Sequence, residues 1–311
     1  MKLNFSNLSI LVVGDVMLDH YFYGKKTRNS PEAPVPILVK ANEKFFLGGA
    51  ANVANNLNKL GATVSCAGVV GHDLEGKIIV DLLKKENIDT SKILTSNYIK
   101  TTVKKRIFED GKPIVRIDSE TIEDHSAKLK FIFDQIDFNN YDGIIFSDYD
   151  KGVLFSRSFI KKIIQSYKGT SFVDPKKQDF SFYKGINIIT PNLSELQEAT
   201  KIKNINDDQI VNESKKLINQ FGFDYVISKL SDKGMILISK DNHFKCIAHK
   251  VESPDVTGAG DTVIASLALS YLLTKDIHQS IKISNFCASL VVAKRETAFV
   301  SIDELNSLIN F

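Results

Sequence analysis

The stretch Ser253-Pro-Asp-Val-Thr-Gly-Ala-Gly-Asp-Thr262 decides how this chain is read. Gly258, Ala259 and Gly260 stand together, Asp261 follows, and the run from Val263 to Leu273 holds no Pro or Gly. That apolar run predicts a buried helix with the small residues at its N-terminus. The first N–H groups of a helix have no partner within it, and the helix dipole adds positive potential there. Small residues let an anion approach those groups, so the stretch predicts an anion hole. A carboxylate just beyond it suits one task, taking the proton from a hydroxyl that attacks a bound phosphate. Spacing alone leaves a plainer alternative open: a loop whose Asp caps an ordinary core helix.

Outward from this point, strands and helices alternate. Leu8 to Val13 is a short β-branched run ending at Gly14-Asp15 and predicts a buried strand. Gly48 to Leu60 predicts a helix with a Gly-rich start, although Asn52 and either Asn55 or Asn56 are poor helix formers. A strand over 63–70 and a helix over 74–86 follow. Residues 101–118, turning at Asp110-Gly111, predict a hairpin. The segment Ser30-Pro-Glu-Ala-Pro-Val-Pro36 excludes a central strand, so residues 21–41 should join that hairpin as a small sheet over the main body. From about residue 125 the order is helix, strand, helix, strand, closing with helices near 259–274 and 277–294. Such alternation implies an α/β fold with a mostly parallel sheet covered on both faces. One domain over 1–311 is expected, with lid segments at about 17–45 and 98–118.

Ligands of open parallel sheets bind at the carboxyl ends of the strands. Polar residues recur at those predicted ends: Asp15, Ser147-Asp148, Asp174-Pro-Lys176, Asn192 with Glu195, and Lys229 with Ser231. Each alone reads as a cap or turn residue; with Asp261 they point to one site.

Composition excludes several other classes. The 40 basic and 37 acidic residues give a net charge of +3, no electrostatic case for nucleic acid or a membrane surface. Cys66, Cys246 and Cys287 are far apart and show no metal-ligand spacing, and the six histidines form no zinc motif. Residues 8–13 are too few for a signal segment or a membrane span. A cytoplasmic protein is expected.

Asp255-Val-Thr-Gly-Ala-Gly-Asp261 resembles the C-terminal signature of the ribokinase-like (PfkB) carbohydrate kinases. The resemblance implies a three-layer α/β/α fold with a β-sheet lid. It implies that Asp261 is the catalytic base, that the amides of Gly258, Ala259 and Gly260 form the anion hole, and that Asp255 helps hold a monovalent cation such as K⁺. Gly14-Asp15 and Gly48-Gly-Ala-Ala-Asn-Val-Ala54 resemble the family's sugar-binding segments, which assigns Asp15, Asp19, Gly48, Gly49 and Asn52 to the sugar. Asn192-Leu-Ser-Glu195 matches the N-x-x-E motif tied to Mg²⁺ and phosphate, with Glu195 acting through water. Lys229-Leu-Ser-Asp-Lys-Gly234, with Lys229, Ser231 and Gly234, resembles the strand end beside ATP. The adenine is expected between residues 284–291, including Asn285 and Ala288, and Thr297-Ala298.

A closer resemblance, to the bacterial heptose 7-phosphate kinases, lies in Ser30 to Pro36, Ser147-Asp-Tyr-Asp-Lys-Gly152 and Asp174-Pro-Lys176. Such a substrate carries a second phosphate and needs Lys or Arg; Lys104, Arg106, Arg116 and Lys176 are the candidates. Two residues depart from that pattern: Asp150 and Glu296 stand where Gly is usual. The chain ends at Phe311, so only the kinase half of that pathway is expected. The alternatives are a kinase for a neutral sugar or another sugar phosphate, and a non-catalytic sugar-binding protein on the same fold. Open lid edges make a homodimer the expected assembly.

Overall fold

A computed structural model describes residues 2–251 and 255–308; Ser253 and Pro254 lie outside the described residues. Strand β1 (Ser9–Gly14) shows why the chain folds as layers. Ile10 and Val12 enter one apolar cluster and Leu11 and Val13 the other, because successive strand side chains point to opposite faces. The lid begins at once with β2 (Val16–Asn29) and β3 (Pro36–Gly49). Helix α1 (Ala50–Lys59), β4 (Thr63–Gly71), α2 (Leu74–Lys85) and β5 (Asp89–Ser96) return the chain to the main sheet. The lid is completed by β6 (Thr102–Glu109) and β7 (Lys112–Ser119). The second half runs α3 (Ser126–Phe133), β8 (Gly143–Ser147), α4 (Arg157–Ser166), β9 (Thr170–Asp174), β10 (Ile188–Ile189), α5 (Leu193–Thr200), α6 (Asp207–Phe221) and β11 (Tyr225–Lys229). It ends with β12 (Met235–Ile238), β13 (His243–Cys246), α7 (Ala259–Thr274), α8 (Ile277–Val292) and α9 (Ile302–Leu308).

The nine-stranded sheet has the order β13-β12-β11-β10-β9-β8-β1-β4-β5 and is parallel except for β12 and β13. Helices α1, α2, α7, α8 and α9 share one core cluster and α3 to α6 the other. Helix α7 is buried almost all round, from Asp261 to Ser270, which is why its sequence is apolar without a polar stripe. The sequence reading assigned no element to β5. That strand lies at the sheet edge with mixed exposure, so it lacks the apolar run that marks the central strands.

Successive strands from β1 run outward in opposite directions, first to β4 and later to β8, so the β1–β8 gap is the topological switch point where a crevice opens. Gly14 closes that gap: a Cβ there would lie 2.1 Å from the Ser147 carbonyl oxygen. The carboxyl ends of β1 and β8 therefore deliver Asp15 and Asp148 side by side.

The lid order is β3-β2-β6-β7, with β2 and β6 parallel and the outer pairs antiparallel. Alternation puts Asp19, Tyr21 and Tyr23 of β2 on the same face as Phe46, Lys104, Arg106 and Phe108, where Tyr21 stacks on Phe108 at 5.6 Å. Strand β7 is exposed along its whole length. Neither of its faces is buried, so the hairpin sequence had no reason to alternate cleanly.

Candidate active site

The position of Asp261 is set by α7. Gly258 is its N-cap, with left-handed backbone (φ 78°), and a Cβ there would lie 2.9 Å from Asn52 Nδ2. Only glycine serves both the turn and that close approach. Asp261 in the first turn is buried, at 4% exposure. Asn52 Nδ2 donates to its Oδ2 at 2.7 Å, and the Tyr149 hydroxyl donates to its Oδ1 at 2.7 Å. Burial pushes the Asp261 carboxyl up to about 6, against the downward pull of those two hydrogen bonds. The helix N-terminus favours ionisation; desolvation outweighs it, yet a carboxyl near 6 is still largely ionised at pH 7.

The asparagines of α1 now have a reason. Asn56 Nδ2 donates to the Asn52 side-chain oxygen at 3.2 Å and to its carbonyl at 2.9 Å, and Thr262 Oγ1 donates to Asn56 Oδ1 at 2.9 Å. Asn56 holds the Asn52 amide so that its nitrogen faces Asp261. Asn52 and Asn56, poor helix formers, stand in α1 because the α1–α7 contact pairs their buried amides with Asp261 and Thr262.

Of the three amides expected to meet an anion, one is already bonded. The Ala259 N–H bonds to Val256 O at 3.2 Å. Among the described residues this leaves the amides of Gly258 and Gly260 for an anion. The Lys229–Asp174 ion pair stands beside Gly260: a Cβ there would be in ordinary contact with Lys229 Nζ at 3.5 Å and Asp174 Oδ2 at 3.6 Å. Asp174 also accepts from Thr190 Oγ1 at 2.9 Å.

Asn192 and Glu195 form a capping box on α5: Asn192 Oδ1 accepts from Glu195 N at 2.9 Å, and Glu195 Oε2 accepts from Asn192 N at 2.8 Å. The second Glu195 oxygen lies 3.7 Å from Lys176 Nζ. Burial, and then the neighbouring Asp174, raise the Glu195 carboxyl. Ser231 and Gly234 both take positive φ in the turn between β11 and β12. Asn285 Nδ2 donates to Ile247 O at 2.8 Å, tying α8 to the segment after β13, with Ala288 one turn further along the helix.

At the end of β1, Asp15 is buried and accepts three backbone N–H groups: Tyr149 at 2.9 Å, Lys151 at 3.1 Å and Val153 at 3.0 Å. Its carboxylate anchors the loop that carries Tyr149. Asp19 pairs with Arg106 at 2.6 Å. Gly48 and Gly49 let β3 cross close to β2: a Cβ on Gly48 would lie 3.2 Å from the Asp19 carboxylate, and one on Gly49 2.3 Å from Asp15 O. Lys104 Nζ sits 4.8 Å above the Tyr149 ring, and burial lowers its pKa. Arg116 stands opposite Arg106 on β7, exposed and paired with Asp118 at 2.9 Å. Asp255 Oδ1 accepts from Thr257 N at 2.9 Å in the loop before α7.

Both departures from the subfamily pattern have left-handed backbone, Asp150 with φ 58° and Glu296 with φ 65°. Each side chain found a partner. Asp150 pairs with Lys177, and Glu296 reaches the lid, accepting from Tyr23 OH and from Lys44 Nζ at 2.9 and 3.1 Å. Thr297 adds contacts to Tyr21 and Asp19 at 3.3 Å each.

The pfkB family carbohydrate kinase model matches residues 7–304. The chain belongs to this family. As a pfkB kinase it is a phosphotransferase that acts on an alcohol group. It is 41% identical over 309 residues to a protein named bifunctional protein HldE from Helicobacter acinonychis (strain Sheeba), covering 97% of this chain and 66% of that one. A protein of the same name from Aliarcobacter butzleri is 38% identical, with 96% and 63% covered. The chain thus spans just under two thirds of the length of these relatives. Among solved structures, phosphofructokinase-2 from Escherichia coli in complex with potassium aligns with TM-score 0.81 at 17% identity over 97% of both chains. Ribokinase from Arabidopsis thaliana complexed with ribose and ATP aligns with TM-score 0.75 at 19% identity over 100% of both. These two show that this pfkB kinase has the ribokinase-like fold.

The sequence reading missed three contributors to the site. Tyr149 lay inside a quoted motif but was given no role, since nothing local marks a Tyr that bonds across 112 positions. Asp174 was noted only as a strand-end residue, and its Lys229 pair appears once β9 and β11 are neighbours of β10. Asn56 left a trace in the sequence, as an asparagine where helix propensity argues against one.

Proposed function

We propose that this pfkB kinase transfers the γ-phosphoryl group of ATP to a sugar phosphate, with Asp261 as the base. We take the sugar to be D-glycero-D-manno-heptose 7-phosphate, phosphorylated at its anomeric hydroxyl to heptose 1,7-bisphosphate for ADP-heptose and surface-glycan synthesis. One observation carries the reading: a buried carboxylate at an amide-lined helix start lies under a lid face bearing Lys104 and Arg106. Lys104 has no carboxylate partner among the described residues, so a second substrate phosphate is a suitable one. The motifs at 30–36, 147–152 and 174–176, and the 38–41% identity to proteins named HldE, support the same sugar.

In this reading the acceptor hydroxyl donates to Asp261, which takes its proton as the oxygen meets the γ-phosphorus in line. The Gly258 and Gly260 amides and Lys229 hold the developing charge. Glu195 and Asp174 offer the hard oxygen donors that Mg²⁺ takes through water, and Asp255 with Thr257 would hold K⁺. Mg²⁺, when bound, neutralises phosphate charge. The lid, fixed to the core by Asp19, Thr297 and Glu296, would exclude water. Exposed Val115 and Ile117 on β7, beside an open strand edge, would pair with a second copy in a homodimer.

The test is ATP-dependent phosphorylation of heptose 7-phosphate, ribose, fructose and fructose 6-phosphate by the chain and two variants. Asp261→Asn should lower turnover by about 10²–10⁴-fold, the usual contribution of a general base, while still binding sugar. Lys104→Gln should raise KM for the sugar phosphate. Turnover of a neutral sugar alone, untouched by Lys104→Gln, would sink the second-phosphate reading.

A further inference from the structure

Both oxygens of Asp261 accept a hydrogen bond from the protein itself, Oδ2 from the Asn52 amide and Oδ1 from the Tyr149 hydroxyl. The two caps differ in kind. Asn52 is locked by Asn56 within α1 and packed against Gly258. Tyr149 sits half-buried on a loop, its backbone N–H held by Asp15 and its ring beneath the Lys104 ammonium of the lid. A hydroxyl at 2.7 Å from Oδ1, donating its proton to that oxygen, has the geometry required of the acceptor hydroxyl itself.

We propose that Tyr149 is a positioning residue that stands in for the sugar: its hydroxyl caps the base Asp261 in the free enzyme, excludes water from Oδ1, and is displaced by the acceptor hydroxyl. The inference rests on the reading of Asp261 as the base. Its chemical point is the side reaction that every kinase must suppress. Water at Oδ1 would lose a proton to Asp261 while its oxygen bonds the γ-phosphorus and the β–γ bridge breaks, giving ADP and inorganic phosphate. A phenol in that place keeps that water out, and it is carried by a loop that the Asp15 carboxylate holds through the N–H groups of Tyr149, Lys151 and Val153. The lid supplies the release. A substrate anion that draws Lys104 away weakens the ammonium–ring contact that covers Tyr149.

The charged and titratable groups facing Asp261 are Asp19 and Lys104 from the lid, Asp174 from β9, Lys229 from β11 and Tyr149 itself. Tyr149→Phe changes only the last, keeping the ring under Lys104. Removing a donor to the ionised form raises the Asp261 pKa further. The pH profile of kcat/KM for sugar reports the free enzyme and that of kcat the loaded one. Displacement therefore predicts that Tyr149→Phe moves the acid limb of kcat/KM to higher pH and leaves the limb of kcat in place. It also predicts that sugar-independent ATP hydrolysis rises about tenfold, the exclusion expected of a hydrogen bond to a carboxylate. A shift of both limbs would mean that Tyr149 stays on Asp261 during turnover, and would overturn displacement. No shift and no added hydrolysis would overturn the cap altogether.

Asp261→Asn separates this from the underlying reading. If that variant still phosphorylates sugar, the base assignment has failed, whatever Tyr149 does. If it is dead and Tyr149→Phe shows the single-limb shift, both stand. Should Tyr149→Phe not fold, the wild-type chain gives the answer. It contains no tryptophan, so its near-UV difference spectrum on sugar binding reports tyrosine directly. A phenol leaving a buried carboxylate must appear there, and a flat difference spectrum would refute displacement.

Discussion

Replacing Glu296 by Gly and by Ala should separate two things that this residue does. Its φ of 65° is a left-handed conformation, which costs a non-glycine residue about 1–2 kcal/mol. Its carboxylate also accepts from Tyr23 OH and Lys44 Nζ, joining the segment after α8 to two lid strands. Both variants lose those contacts. With the Lys44 side chain 46% exposed, the ion pair is discounted to at most about 1 kcal/mol. The Tyr23 bond contributes roughly another 1 kcal/mol. Only the glycine variant sheds the backbone strain, and it gives back about 0.4–1 kcal/mol through the greater freedom of its unfolded chain. Glu296→Gly should thus be more stable than Glu296→Ala by about 0.5–1 kcal/mol, although it has fewer atoms. Urea unfolding at 25 °C, with equal slopes required of the two variants, reads that difference. The KM for sugar should rise in both alike, by about fivefold for roughly 1 kcal/mol of lost lid anchorage. An alanine variant as stable as the glycine one would refute the strain argument. A KM unchanged in both would refute the anchor.

Gly258→Ala should damage turnover more than stability. The new Cβ would sit 2.9 Å from Asn52 Nδ2 in a left-handed residue, so either the α7 start or the Asn52–Asp261 bond must shift; a stability loss of about 1–2 kcal/mol with turnover unaltered would contradict this. Asp148→Asn should stabilise the protein at neutral pH. Burial, and then neighbouring Asp15, push the Asp148 carboxyl up to about 7, while Tyr183 OH donates to it at 2.6 Å. A folded-state pKa above the unfolded value of 3.8 means that the stabilising form is the protonated one. That stability is complete below about pH 4 and lost as pH rises through about 7, a cost on the order of 4 kcal/mol at pH 8. The unfolding midpoint of Asp148→Asn should therefore exceed that of the wild type at pH 8 and approach it at pH 5; the opposite trend would show that Asp148 is stabilised as the anion.

Much of this molecule is legible in its sequence, for a definite reason. Central strands buried on both faces must be apolar throughout, so β1, β8 and β11 stand out. An apolar helix that starts at Gly258-Ala-Gly260 marks α7 and Asp261 together, because a close approach to backbone N–H groups demands small residues there. The hairpin turn at Asp110-Gly111 is written in residues that tolerate positive φ, and both have it. These features are local, and local sterics and burial leave a local trace.

Contacts made across the sheet order leave none. That Tyr149 reaches Asp261, that Asn56 turns Asn52 toward it, and that Lys229 finds Asp174 depend on α1 packing against α7 and on β9, β10 and β11 lying side by side. The ionisation of Asp261 is of the same sort. Sequence offers the helix N-terminus, which favours the anion, whereas only the packed structure shows the desolvation that outweighs it. The chain thus determined by itself its central strands, α7 and the hairpin turn. The tertiary structure decided the partners and proton affinities of the site residues, since both depend on distance and burial, which are properties of the packed fold.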